Sequence, residues 1–204
     1  MKRFAFTLLE LVFVIIVIGI LAVLAMPNFS TNPLQQAAEQ VAGHIRYTQH
    51  LAMMEDKFDP TDPTWYASLW RIRFYESGTP DNYYYTVFSD LDKGSDADYG
   101  AGKRELAIDP LTKINMHDAS NNHNMDLTGS FGISSVSSTC DNGWIELFFD
   151  NLGRPYIDSI TTGANPPYSG LLQNDCNITL VHQTDGNATI TIAPETGYVS
   201  VSYN

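Results

Sequence analysis

The chain has 204 residues, with 11 Lys or Arg against 23 Asp or Glu, for a formal net charge of −12. That balance argues against the basic face that nucleic-acid phosphates require, so no nucleic-acid partner is expected. After a helical stalk of about 50 residues, roughly 150 remain for a head, enough for one domain with its own core.

The first predicted element is Phe6 to Met26, FTLLELVFVIIVIGILAVLAM, which carries one charge, Glu10. An α-helix rises ~1.5 Å per residue, so this run reaches about 30 Å, the thickness of a hydrocarbon core. Lys2 and Arg3 precede it, and a basic end ahead of an apolar helix keeps the N-terminus in the cytoplasm and exports the rest of the chain. The run is too long for an ordinary secretory signal and no Ala-x-Ala site follows it. A carboxylate inside such a helix costs roughly 2.5–3.5 kcal/mol on insertion scales, and residues of this kind usually serve a purpose. Its place near the cytoplasmic end also lets Glu10 reach the interface.

The stretch Lys2-Arg3-Phe4-Ala5 followed by Phe6-Thr7-Leu8-Leu9-Glu10-Leu11 resembles the class III signal of type IV pilins and type II secretion pseudopilins. The resemblance implies that a prepilin peptidase cuts between Ala5 and Phe6, that Phe6 becomes N-methylated, and that Glu10 is the signature acid of the mature chain. The family usually has Gly before the cut, where this chain has Ala5. In the family, the Glu of one subunit pairs with the N-terminal amine of its neighbour. Both charges are costly in an apolar medium, so pairing favours assembly and sets register. The implied division is a leader over 1–5, a transmembrane and filament-core helix over 6–29, an amphipathic helix over 30–55 and a β-rich periplasmic head over 56–204. The implied partners are the peptidase/methyltransferase, other pilins or pseudopilins, an inner-membrane assembly platform, and the membrane itself through the N-terminal helix. The implied location is the bacterial inner membrane, single-pass with a periplasmic head, then a periplasmic filament.

Gly19 and Pro27 interrupt the apolar run. Proline removes a backbone donor and crowds the preceding turn, so Pro27 is the expected kink. Asn32-Pro33 with Gln35 reads as an N-cap, first-turn proline and capping box. A helix from Pro33 to about Glu55 places Leu34, Ala38, Val41, Ile45 and Ala52 on one face, ready to dock on a sheet. Met53 and Met54 read as core filler.

Beyond a turn-rich stretch, Trp70, Ile72 and Phe74 alternate with Arg71, Arg73 and Tyr75, a half-buried strand paired in a hairpin with Tyr83 to Ser89. Asp90 to Gly102 is acidic and glycine-rich. Asp90, Asp92, Asp96 and Asp98 are weak calcium candidates, because oxygen ligands suit that ion but Gly94 breaks the EF-hand register. Asp118 to Ser138 reads as a long surface loop with a short strand near Phe131 to Ile133. Trp144 to Phe149 is a strand. The following Phe149-Asp150-x-x-Gly153-Arg154-Pro155 resembles a motif of GspH/FimT-like minor pseudopilins. Three alternating runs end the chain: Asn177 to Gln183, Asn187 to Ala193 and Tyr198 to Tyr203, with an Asp-Gly hairpin signal between the first two. Cys140 and Cys176 fall in the exported part, where an oxidising compartment allows either a disulfide or two thiols.

No nucleophile elbow, zinc helix, P-loop or dinucleotide fingerprint occurs, so neither an enzyme nor a cofactor is expected. The expected fold class is α+β, with a long N-terminal helix, transmembrane half plus amphipathic half, packed on an antiparallel β-sheet head. The expected function is a structural minor pseudopilin of a type II secretion pseudopilus. The alternatives are a minor pilin of a type IV pilus or competence system, and a membrane-anchored periplasmic enzyme or binding protein.

Overall fold

The chain forms two units, Met1–Thr31 and Asn32–Asn204, and the computed structural model describes residues 8–25, 32–77, 82–94, 97, 105–117, 122–140, 145–157 and 169–204. Within the first unit, α1 spans Leu8–Ala25. Its residues from Leu8 to Ala22 are all exposed.

This corrects the expected long N-terminal helix. The stalk is two helices, α1 of 18 residues and α2, Pro33–Met54, of 22 residues, and they belong to different units. Among the described residues no helix is long and apolar enough to cross a membrane. A new start signal also stands at Asn32, whose side chain accepts from Gln35 N at 3.0 Å, with Pro33 opening α2. That cap satisfies a first-turn donor and makes Asn32 the beginning of a separate helix. Pro27 lies outside the described residues.

In the second unit the apolar stripe of α2 is buried as its spacing dictates. Leu34, Ala38, Val41, Ile45 and Ala52 all lie inside, joined by Ala37, Ala42 and Thr48. Met53 and Met54, expected as core filler, are instead exposed at the end of the helix.

The head holds two antiparallel sheets. The first runs β2-β1-β4-β5, from β1 (Trp70–Ser77), β2 (Asn82–Ser89), β4 (Glu146–Phe149) and β5 (Pro155–Tyr156). The second runs β3-β6-β7-β8, from β3 (Ile133–Ser138), β6 (Cys176–His182), β7 (Gly186–Ile192) and β8 (Val199–Tyr203). The β1–β2 hairpin pairs from Trp70 with Ser89 to Ser77 with Asn82. Helix α2 packs against strands of both sheets, and one core joins Val41 and Ile45 to Ile72 and Leu147 of the first sheet and to Ile178 and Ile190 of the second.

From Asn122 onward, the polar stretch expected as a long surface loop with one short strand holds a short helix and a six-residue strand. Asp126 caps a short helix α3, Leu127–Phe131, by accepting from Gly129 N, and Gly132 at φ 68° ends it before β3 begins. Met125, Leu127, Ile133 and Val136 are core residues. Few apolar side chains are needed when each one is fully used, so polar composition concealed the elements. Residues 105–117 cover the outer edge of β2, with Val87 N donating to Met116 O at 3.1 Å and Ala107 N to Val87 O at 2.9 Å. An edge covered in this way offers no template for stray pairing.

Candidate functional site

Of the processing and assembly residues, Ala5 and Phe6 lie outside the described residues, and Glu10 sits in the first turn of α1. Acidic residues are favoured there by the positive end of the helix dipole. Glu10 is the only charge in Leu8–Ala25. A helix apolar on every face has no side suited to water and belongs in an apolar environment.

In the head, the turn from Phe149 to Pro155 is built around one carboxylate. Asp150, buried at the end of β4, accepts from the backbone of Leu152 at 3.0 Å and Arg154 at 2.9 Å through Oδ1. Its Oδ2 accepts from Arg154 Nε at 2.7 Å and the Tyr156 hydroxyl at 2.9 Å. Arg154 Nη2 also lies 2.7 Å from Oδ2, and donors converging on both oxygens of one carboxylate fix the turn rigidly. Gly153 takes φ 77°, a conformation that glycine adopts without Cβ strain. Gln49 of α2 then donates through Nε2 to Gly153 O at 2.8 Å and to Thr196 O at 2.9 Å. One amide thus holds the β4–β5 turn and the β7–β8 turn, which belong to different sheets. Nothing in the sequence marked Gln49 beyond its polar place on the helix.

Arg71 and Arg73 were expected on the solvent side of β1. Both are buried. Arg73 Nε donates to Glu146 Oε1 at 2.7 Å and Arg71 Nη1 lies 3.5 Å from the same oxygen. The Arg71 guanidinium also stacks 4.4 Å from the Phe148 ring and donates to Ala67 O. The cause is a second small core of Tyr66, Leu69, Phe148 and Tyr156, built from segments far apart in the chain.

Two further groups of polar side chains stand in the head. Asp90 and Asp92 lie with Glu105, the three offering ligand atoms within 4.8 Å of one another, while Asp96 and Asp98 lie outside the described residues. Glu105 Oε1 accepts from Leu91 N at 3.0 Å, so it orders this loop. On α2, His44 Nδ1 lies 2.7 Å from the Tyr85 hydroxyl, which accepts from Gln40 Nε2 at 2.8 Å. Burial lowers His44 to about 4, against the pull of Asp109, and burial raises Tyr85. Cys140 and Cys176 form a disulfide with Cα atoms 5.2 Å apart, tying the end of β3 to the start of β6.

No protein-family model, curated protein or solved structure matches this chain. The functional reading stands on the chain's own residues.

Proposed function

We propose that this chain is a type IV pilin-like structural subunit, a minor pseudopilin of a type II secretion pseudopilus, assembled through its N-terminal helix. The observation that carries the reading is α1, apolar from Leu8 to Ala25 except for Glu10, placed directly behind the basic leader and the Ala5-Phe6 pair. A fully apolar helix attached to a separately folded head is suited to packing among copies of itself in a filament core. The precursor waits at the bacterial inner membrane, a prepilin peptidase cuts between Ala5 and Phe6, and the new amine is methylated. Glu10 of one subunit then pairs with the Phe6 amine of its neighbour on the assembly platform. The chain serves as a structural part and a substrate of processing enzymes, with no chemistry of its own.

Intact-mass and N-terminal peptide mass spectrometry of protein from the native membrane tests this. The expected product starts at Phe6 and carries one added methyl group. A chain still starting at Met1, or one starting near Met26, overturns the reading. Glu10→Ala is expected to cut filament yield with the head still folded, and an unchanged yield removes the role given to Glu10. Labelling on the surface of intact cells would move the assignment to a type IV pilus.

A further inference from the structure

Two short segments of the second sheet repeat one pattern: Asp175-Cys176-Asn177-Ile178-Thr179 and Asp185-Gly186-Asn187-Ala188-Thr189. Both hold Asn-x-Thr with no proline between, the pattern that accepts a sugar chain on the asparagine amide. Asn28-Phe29-Ser30 fits the shorter pattern without the aspartate, and it lies outside the described residues. The compartment suits such a modification. Cys140 and Cys176 are joined, and disulfides persist where proteins have been exported.

The fold separates the two acceptors. Asn177 is the second residue of β6, an inner strand of its sheet. It is half-buried, its neighbour Cys176 is buried in the disulfide, and its Oδ1 accepts from Thr191 Oγ1 at 2.7 Å. Its backbone is tied as well, donating to Thr139 Oγ1 at 3.0 Å and accepting from Thr139 N at 3.0 Å. Asn187 stands at the turn end of the β6–β7 hairpin, last of five consecutive exposed residues over 183–187. Its backbone exchanges hydrogen bonds with Asn204 at 3.2 and 2.9 Å, while its side-chain amide has no partner among the described residues. Thr189 follows two residues on. Alternate residues of a strand share a face, so the Thr189 hydroxyl and the Asn187 amide are presented on the same side.

We propose that Asn187 is the acceptor of an N-linked oligosaccharide and that Asn177 is not. The donor is an oligosaccharide carried on a membrane lipid diphosphate and presented by a transferase. Asn187 Nδ2 forms a bond to the anomeric carbon of the first sugar. The bond from that carbon to the diphosphate oxygen breaks, the lipid diphosphate leaves with the electron pair, and the amide nitrogen yields one proton to a base of the transferase. Nothing is oxidised or reduced. The aspartate two residues ahead of each acceptor offers a cationic group of the transferase the same carboxylate in both segments, so exposure is what selects Asn187. A chain anchored by α1 meets a membrane-bound donor on the side to which its head is exported; for that placing alone the inference rests on the filament reading above. A sugar chain is bulky and solvated, so at Asn187 it keeps this end of the second sheet in water.

Mass spectrometry of the full chain from its native membrane tests this. After reduction, chymotrypsin leaves residues 181–198 and 173–180 as separate peptides. The first is expected to carry an added sugar mass on Asn187 and to release sugar ions on fragmentation; the second is expected to be unmodified. Asn187→Gln and Thr189→Val are each expected to lose the whole added mass, and Thr189→Ser to keep it. Thermal melts confirm that the variants are folded. An unmodified Asn187 in the native chain, equal modification of Asn177, or a sugar that survives Thr189→Val overturns the proposal. The N-terminal peptide of the same sample separates the two readings. A chain starting at a methylated Phe6 with bare Asn187 sinks the glycan and leaves the filament, whereas a chain starting at Met1 with a sugar on Asn187 does the reverse.

Discussion

At the scale of single residues, the network around His44 makes a pH prediction. Gln40 donates to the Tyr85 oxygen and to Asn124 O at 2.6 Å, and His44 Nδ1 lies 2.7 Å from the same hydroxyl; a neutral imidazole can accept that hydroxyl's proton there, which the imidazolium cannot. Asp109, facing the same group, is raised by burial but held below its ordinary value by the Leu111 and Thr112 amides, the Thr112 hydroxyl and His44. His44 falls from 6.5 to about 4 on folding. Between those values the unfolded chain binds more protons than the folded one, so stability is fully present above pH 6.5 and drains away as pH falls through 4. The loss from His44 reaches roughly 3 kcal/mol at the acid end. Denaturant titrations at pH 7 and pH 4 measure it, and His44→Gln is expected to flatten the dependence. An equal slope in that variant would assign the acid sensitivity elsewhere.

At the scale of elements, β1 shows what the chain's pattern conveys and what it withholds. Its period of two and its hairpin with β2 were readable from Trp70 to Ser89, because alternation and turn residues are local properties. The fate of its second face was not. Arg71 and Arg73 look solvent-facing by type, and only the arrival of Glu146, Phe148 and Tyr66 from elsewhere turns that face inward. The same holds for the acidic loop, where Asp90 and Asp92 were visible neighbours but Glu105 came from a segment whose pairing to β2 no local signal fixes. Helix α2 was legible at its start, through Asn32, Pro33 and Gln35, and along its stripe. Its last turn was not, because Met53 and Met54 are apolar residues left outside. Glu10 was legible without any structure, as the one charge in an apolar run. The buried charges on β1 and β4 carry a sharp prediction. Glu146→Ala leaves two guanidiniums buried without their shared carboxylate and is expected to cost about 3–5 kcal/mol, as removal of one partner of a buried ion pair does. Replacing Arg71 and Arg73 by Met and Glu146 by Leu together should recover most of that loss, since apolar residues of similar volume fill such sites without the desolvation cost. Urea unfolding of the single and triple variants measures the difference; equal losses would mean the charges act through something other than their burial.

At the scale of the whole molecule, the division at residue 31 separates two kinds of stability. The second unit begins with its own helix cap at Asn32 and places Leu34 in its core two residues later. Its two sheets share one core with α2, and the disulfide between Cys140 and Cys176 ties two of its strands. None of these interactions needs residues from Met1–Thr31. A chain comprising residues 32–204 is therefore expected to fold and to melt within a few degrees of the full chain, since a shift of 1 kcal/mol moves a domain of this size by only about 2–4 °C. The first unit differs, because α1 turns apolar side chains outward from Leu8 to Leu21, and a helix of that kind needs an apolar environment to bury them. Removing it should abolish association that survives in the full chain, while Glu10→Ala should leave the melting temperature of the head unchanged and alter only assembly. Calorimetry of the three proteins separates the outcomes. A head that fails to fold without the first unit would show that α1 supplies part of its core, and the division of labour between a folded head and an assembling helix would have to be abandoned.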